Sequence, residues 1–105
     1  MSKYVESEKI ELKTKYTDTL CKEIVAFLNT DGGTIIIGVK DSGEVVGVDK
    51  IDDTLKKVSD VITTQIEPNP QEEIRTELKF DSGKTLIYLC ISKGTRNIYC
   101  QKGKR

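Results

Sequence analysis

Residues 20–39, "LCKEIVAFLNTDGGTIIIGV", decide the fold. Leu20, Ile24, Phe27 and Leu28 stand at i, i+4, i+7 and i+8, which puts them on one stripe of an amphipathic helix. Just upstream, Thr17 or Asp18 offers a side-chain oxygen for the N-cap. Downstream, "NTDGG" supplies the stop, with Gly32 and Gly33 able to take positive φ. The β-branched run "TIIIGV" then suits a central strand buried on both faces. A helix feeding directly into such a strand is one half of an α+β domain.

The flanking segments extend the pattern. "KIELKT" (9–14) alternates at Ile10 and Leu12, as a short strand with one buried face would. "KDSGEVVGV" (40–48) reads as a hairpin that turns at Asp41, Ser42 and Gly43 and returns through Val45, Val46 and Val48. A second helix is predicted over Ile51 to Ile66, with Ile51, Leu55, Val58, Ile62 and Ile66 on one stripe. "EPNP" (67–70) ends it, because proline disfavours helix in its predecessor. "EEIRTELKF" (72–80) and "KTLIYLCIS" (84–92) pair around "DSG", and "NIYCQ" (97–101) begins another strand. The order β-α-β-β-α-β-β predicts two helices packed on a mixed sheet of about five to six strands, an α+β fold. Residues 1–105 form one domain. Because a basic hairpin starts where the chain stops, the domain is expected to belong to a longer protein.

Composition narrows the chemistry. Charged residues make up 32% of the 105-residue chain and hydrophobic ones 36%, the balance of a globular domain rather than a disordered tail. No apolar run is long enough to span a bilayer. Charges at Lys3, Glu6, Glu8 and Lys9 occupy the place of a secretory apolar segment, so a cytoplasmic location is expected. There are three cysteines, Cys21, Cys90 and Cys100, no CxxC and no histidine. Structural zinc and every histidine-based nucleophile are thereby disfavoured. Cys21 and Cys90 fall in apolar patterns and read as small core residues. Residues 1–83 hold 17 acidic and 11 basic side chains, whereas residues 84–105 hold six basic ones and no acid. That asymmetry suits one face to a polyanion.

Three stretches carry a resemblance: "ESEKIELK" (6–13), "LCKEIVAFLNTDGGTIIIGVKDSGEVVGV" (20–48) and "LIYLCISKGTRNIYCQKGKR" (86–105). Together the chain resembles the Schlafen-type Alba-like domain family over nearly its whole length. Separated matches in one order are far more specific than a single short motif. The resemblance implies nucleic-acid binding and, in some members, metal-dependent endonuclease activity on structured RNA. The three carboxylates of the nuclease members fall on Glu6, Glu11 and Asp41, and the motif lysine falls on Lys13. Leu12 stands where the family often has phenylalanine, still apolar. Mg²⁺ or Mn²⁺ would suit such a carboxylate set, activating water and neutralising the charge that develops at a phosphodiester.

Spacing alone leaves the site open. Residues 6 and 11 face opposite sides of a continuous strand and lie about 140° apart on a helix, so a bend must intervene for them to meet. Alternating Glu and Lys also suits a solvated strand, and Asp41 suits an ordinary turn. Gly32 and Gly33 lack the GxxxxGK[ST] frame of a phosphate loop and precede a strand, so an ATPase is disfavoured. For nucleic-acid contact the candidates are Lys93, Arg96, Lys102, Lys104 and Arg105, with Tyr99 as an aromatic neighbour. The leading expectation is a nucleic-acid-binding domain of a regulator or defence protein that holds the phosphate backbone of DNA or RNA. A metal-dependent endoribonuclease is one alternative, and a dimerisation or scaffold module, acting as a homodimer, is another.

Overall fold

The computed structural model describes residues 3–95 and 99–101. β1 (Ile10–Lys13) lies parallel to β2 (Gly32–Ile37), with Leu12 opposite Ile36 and Lys13 opposite Ile37. Parallel neighbours need a crossover, and α1 (Leu20–Leu28) supplies it. After α2 (Ile51–Thr64) and the short β3 (Ile66–Glu67), a single 3₁₀ turn (Gln71–Glu73) leads into the hairpin of β4 (Ile74–Asp81) and β5 (Lys84–Ser92). The main sheet runs β1-β2-β5-β4, with β5 antiparallel to both neighbours. β6 (Cys100–Gln101) pairs antiparallel with β3 in a separate two-stranded sheet. The domain is therefore α+β, two helices on a mixed four-stranded sheet plus a small second sheet.

Alternation divides the sheet into two cores. On the helix side, Ile35 and Ile37 of β2 and Ile87, Leu89 and Ile91 of β5 meet Leu20, Ile24, Phe27 and Leu28 of α1 and Val58, Val61 and Ile62 of α2. On the opposite face, Leu12, Ile36 and Leu86 form a smaller cluster with Tyr4 and Val39. β2 is thus covered on both sides, as its β-branched run requires. Phe27 lies directly over Gly33, where any Cβ would collide with its ring. Gly33 is the hole into which the helix's largest side chain fits.

The expected third strand is reduced. Residues 44–48 do turn back, but their sheet-like pairing is a single bridge, Val39 to Val45. Gly38 O accepts from both Val46 N (2.8 Å) and Gly47 N (2.9 Å), so two amides converge on one carbonyl where a ladder would spread them out. Helix α2 ends at Thr64, two residues short of the predicted Ile66. Ile66 instead enters β3 and is still 1% exposed within the helix-side core. Among the described residues no helix is long and apolar enough to cross a membrane.

Candidate nucleic-acid interface

A turn solves the spacing problem of "ESEKIELK". Ser7 and Ile10 exchange backbone hydrogen bonds, Ser7 N to Ile10 O at 3.0 Å and Ile10 N to Ser7 O at 3.3 Å. The chain therefore doubles back before β1. Glu6 is carried alongside the strand, where its Oε2 accepts the Leu12 N–H at 3.1 Å. β1 is an edge strand, and this segment satisfies both outward-facing groups of Ile10 and the outward N–H of Leu12. The same fold-back sets the Glu6 carboxylate near enough to Glu11 for its charge to act on the Glu11 carboxyl.

Glu11 and Lys13 share a strand face with Ile35 and Ile37, so they point towards α1. There α1 presents Glu23, whose Oε1 and Oε2 lie 3.0 and 3.2 Å from Lys13 Nζ. Oε1 is shut off from solvent without an aligned hydrogen bond, while Oε2 also receives the Thr19 hydroxyl at 3.4 Å. Lys13 Nζ donates to Thr19 Oγ1 at 3.0 Å, and its side chain is 9% exposed. Thr19 occupies the N-cap position, yet its side chain makes no capping bond. Its hydroxyl has been diverted to the lysine. Burial pushes the Glu11 carboxyl above the usual glutamate range, reinforced by the Glu6 and Glu23 charges and only partly opposed by Lys13.

Asp41 enters from the loop after β2. It lines an open cleft of about 480 Å³ together with Glu11, Lys13, Lys15, Thr17 and Lys40. An adjoining hollow of about 520 Å³ shares Thr14 and Lys15 and adds Asp49, Lys50, Asp53 and Lys57. Lys57 lies 5.7 Å from the centre of the Tyr16 ring. The resulting surface mixes the two signs: Glu11 is half-buried, the Lys13 side chain is nearly buried, and Asp41, Lys15 and Lys40 are exposed. A larger hollow of about 640 Å³ opens near Gly33, Glu73 and Arg75. Its buried acid, Glu73, is occupied by the Thr95 hydroxyl at 3.1 Å.

Residues 6–105 match the Schlafen, AlbA_2 family. The chain belongs to that family. A similar solved structure is the N-terminal domain of a DNA helicase RecG-related protein from Nitrosomonas europaea. It is 21% identical at a TM-score of 0.73, over 95% of this chain and 74% of that one. A second is the DIP2311 protein from Corynebacterium diphtheriae, 20% identical with a TM-score of 0.65. That match covers 87% of this chain but only 19% of the other, so a related fold also occurs within a much longer chain.

Within this AlbA_2 domain Glu6 and Glu11 come together, and Glu11 shares the cleft with Asp41. Among the described residues no three or more acids, cysteines or histidines are arranged as a ready-made metal cage. The donor set fits a hard divalent ion that takes one or two carboxylates and fills its remaining positions with water and phosphate. The Glu11 carboxyl is raised first by burial and then by the Glu6 and Glu23 charges, and a bound cation would offset the second of these. Glu11 and Asp41, which share the cleft, could hold it, with Glu6 set beside Glu11, and it would supply charge neutralisation at a bound phosphate.

The carboxy-terminal candidates divide. Lys93 is exposed. Arg96, Lys102, Lys104 and Arg105 lie outside the described residues. Tyr99 is 2% exposed and packs in the helix-side core, so its ring is placed for packing rather than for stacking on a base. Its hydroxyl accepts the Thr95 N–H at 3.2 Å.

Sequence reasoning passed over Glu23, Lys15 and Lys40. Glu23 had a visible signal, because it stands three residues after Leu20 and four before Phe27. A charge on the flank of a buried stripe needs a partner. Lys15 and Lys40 carried no such mark, since they become neighbours only when the loops after β1 and β2 meet.

Proposed function

We propose that this AlbA_2 domain binds the phosphate backbone of nucleic acid across the cleft bounded by β1, the 40–41 turn and the start of α1. The observation that supports this reading is that exposed Lys15 and Lys40 line the same cleft as Glu11 and Asp41. A polyanion lying over acids is repelled unless cations intervene. The lysines would hold the flanking phosphates, and Mg²⁺ or Mn²⁺ would bridge the central one. The basic residues near the carboxy terminus, Lys93 among them, would extend the track. The name of the Nitrosomonas europaea relative, with its link to a DNA helicase, agrees with this class of partner.

Fluorescence anisotropy with labelled hairpin RNA and duplex DNA tests the reading. Binding should weaken linearly in log–log form as salt rises. Lys15→Gln with Lys40→Gln should reduce the slope by about 0.7–0.9 for each phosphate that the lysines no longer neutralise. Binding that ignores salt, or is unchanged in the double variant, would reject this cleft.

A metal-dependent phosphodiesterase is the second reading. It is favoured by the pairing of Glu6 with Glu11 beside a largely buried lysine. In that reading Lys13 helps orient water or neutralise the scissile phosphate, and Glu23 with Thr19 fixes where its ammonium sits. Cleavage of labelled RNA in Mn²⁺, lost in Glu11→Gln while binding persists, would distinguish an enzyme from a binder.

A further inference from the structure

The outer edge of β4 has the features of a self-pairing strand. Among the described residues no strand pairs with it. Two of its apolar side chains are exposed, Leu78 at 44% and Phe80 at 78%. An uncovered edge with apolar side chains is a template for another strand. Here the charges also specify which strand.

The face of β4 that carries Arg75, Glu77, Lys79 and Asp81 alternates in sign along its length. A two-fold axis perpendicular to the sheet brings two copies of β4 together antiparallel, each residue meeting one that points to the same face. When the axis passes through Leu78, Arg75 faces Asp81 of the second copy and Glu77 faces Lys79 of the second copy. Every facing charge pair is then opposite in sign. Moving the axis by one residue, to Glu77 or Lys79, slides the partner by two and sets Arg75 against Lys79 or Glu77 against Asp81, like against like. Moving it to Thr76 or Phe80 keeps opposite charges but pairs fewer of these four residues with one another.

The backbone agrees with this register. Asp81 and Lys84 close a two-residue turn in which Ser82 and Gly83 take φ of 53° and 75°. Such a turn makes the closing pair hydrogen-bonded, so Arg75, Glu77, Lys79 and Asp81 direct their backbone groups at β5. Thr76, Leu78 and Phe80 direct theirs outward. In the Leu78-centred register these residues are the ones that exchange N–H···O bonds, Leu78 with itself and Thr76 with Phe80. Their side chains then gather the exposed Leu78 and Phe80 of both copies into one strip on the helix side.

We propose that β4 is a homodimerisation edge, pairing antiparallel with β4 of a second copy about Leu78 into one continuous sheet. Within a single copy Glu77 bridges Arg75 (2.6 Å) and Lys79 (3.4 Å). In the pair, Glu77 also meets Lys79 of the second copy, and Arg75 meets Asp81.

Sedimentation equilibrium of the 105-residue chain from micromolar to millimolar concentration tests the proposal. A monomer–dimer equilibrium is expected. Lys79→Glu sets two glutamates face to face twice over, by symmetry, and should weaken the dimer about tenfold. Adding Glu77→Lys restores opposite charges across the axis and should recover the dimer. Leu78→Pro removes an outward N–H without breaking the ladder to β5 and should abolish pairing, with circular dichroism confirming that the monomer is folded. A chain that stays monomeric throughout overturns the proposal. So does a dimer indifferent to Lys79→Glu, or one that the double charge swap fails to rescue.

Discussion

Asn29 holds the backbone of Tyr99 at both of its polar groups. Asn29 Oδ1 accepts the Tyr99 N–H at 2.8 Å, and Asn29 Nδ2 donates to the Tyr99 carbonyl at 3.0 Å. A side-chain amide thus imitates a strand partner across 70 residues of sequence. It ties the segment that precedes β6 to the end of α1. Gly94 N, which donates to Leu28 O at 2.9 Å, adds a second tie nearby.

Replacement of Asn29 by alanine takes this partner from both Tyr99 groups in a part-buried setting. The expected loss is about 1–3 kcal/mol of stability, read from the urea midpoint. A midpoint unchanged from the parent would show that water replaces the amide without cost.

Phe27→Ala should cost roughly 3–5 kcal/mol, since the ring fills the space over Gly33. Gly33→Ala alone should cost about 1–3 kcal/mol through overpacking against the same ring. The two effects share one volume, so the double variant should be less destabilised than their sum. Additive losses would mean that the ring does not rest on Gly33.

Tyr4 and Asp81 form a pH-sensitive contact. The Tyr4 hydroxyl donates to Asp81 Oδ2 at 2.5 Å, and Lys3 lies 3.1 Å from the same oxygen. The Tyr4 hydrogen bond first, then those of Lys3 and Ser82, lower the Asp81 carboxyl from 3.8 to about 2. An acid whose native pKa is depressed stabilises the fold above its unfolded value, and that contribution is lost as pH falls through the native one. Tyr4→Phe should therefore move Asp81 back towards its ordinary range, followed by its NMR titration. It should also destabilise the domain at neutral pH more than at pH about 1, because below both pKa values the linkage term vanishes.

Glu11 has the opposite sign. Its native carboxyl binds a proton more tightly than the unfolded one. Stability should therefore decline as pH rises from about 4.3, the ordinary glutamate value, through the raised native value. Glu11→Gln should flatten that part of the profile and raise the melting temperature at neutral pH in the absence of divalent ions. Added Mg²⁺ or Mn²⁺ should raise the melting temperature of the parent and leave Glu11→Gln unmoved. An equal metal response in both proteins would exclude Glu11 as a ligand.

The helices and most strands were legible because their signals are local. The stripe Leu20, Ile24, Phe27 and Leu28 is buried as its spacing requires, and "DSG" turns the chain between β4 and β5. Less was legible wherever distant segments compete for the same polar group. Thr19 stands at the cap position but serves Lys13, a residue outside its own helix. Val45 and Val46 read as a strand, yet two successive amides are drawn to the single carbonyl of Gly38. Tyr99 stands in sequence as a surface aromatic in a basic tail, and its burial rests on the backbone clamp to Asn29 and on ring packing in the helix-side core. The meeting of Glu6 with Glu11 rests on a four-residue turn at Ser7 that no periodicity announces.

That turn also governs growth. A β-sheet whose two margins both offer open backbone groups can add strands without limit, and its end state is a fibre. Here Ser7 takes both polar groups of Ile10, and the Glu6 carboxylate takes the Leu12 N–H. One margin of the sheet is therefore blunted by residues 6 and 7, which disfavours strand addition there and leaves the β4 margin as the readier one. Glu6→Ala would reopen that margin at Leu12, and its first visible consequence should be turbidity rather than unfolding.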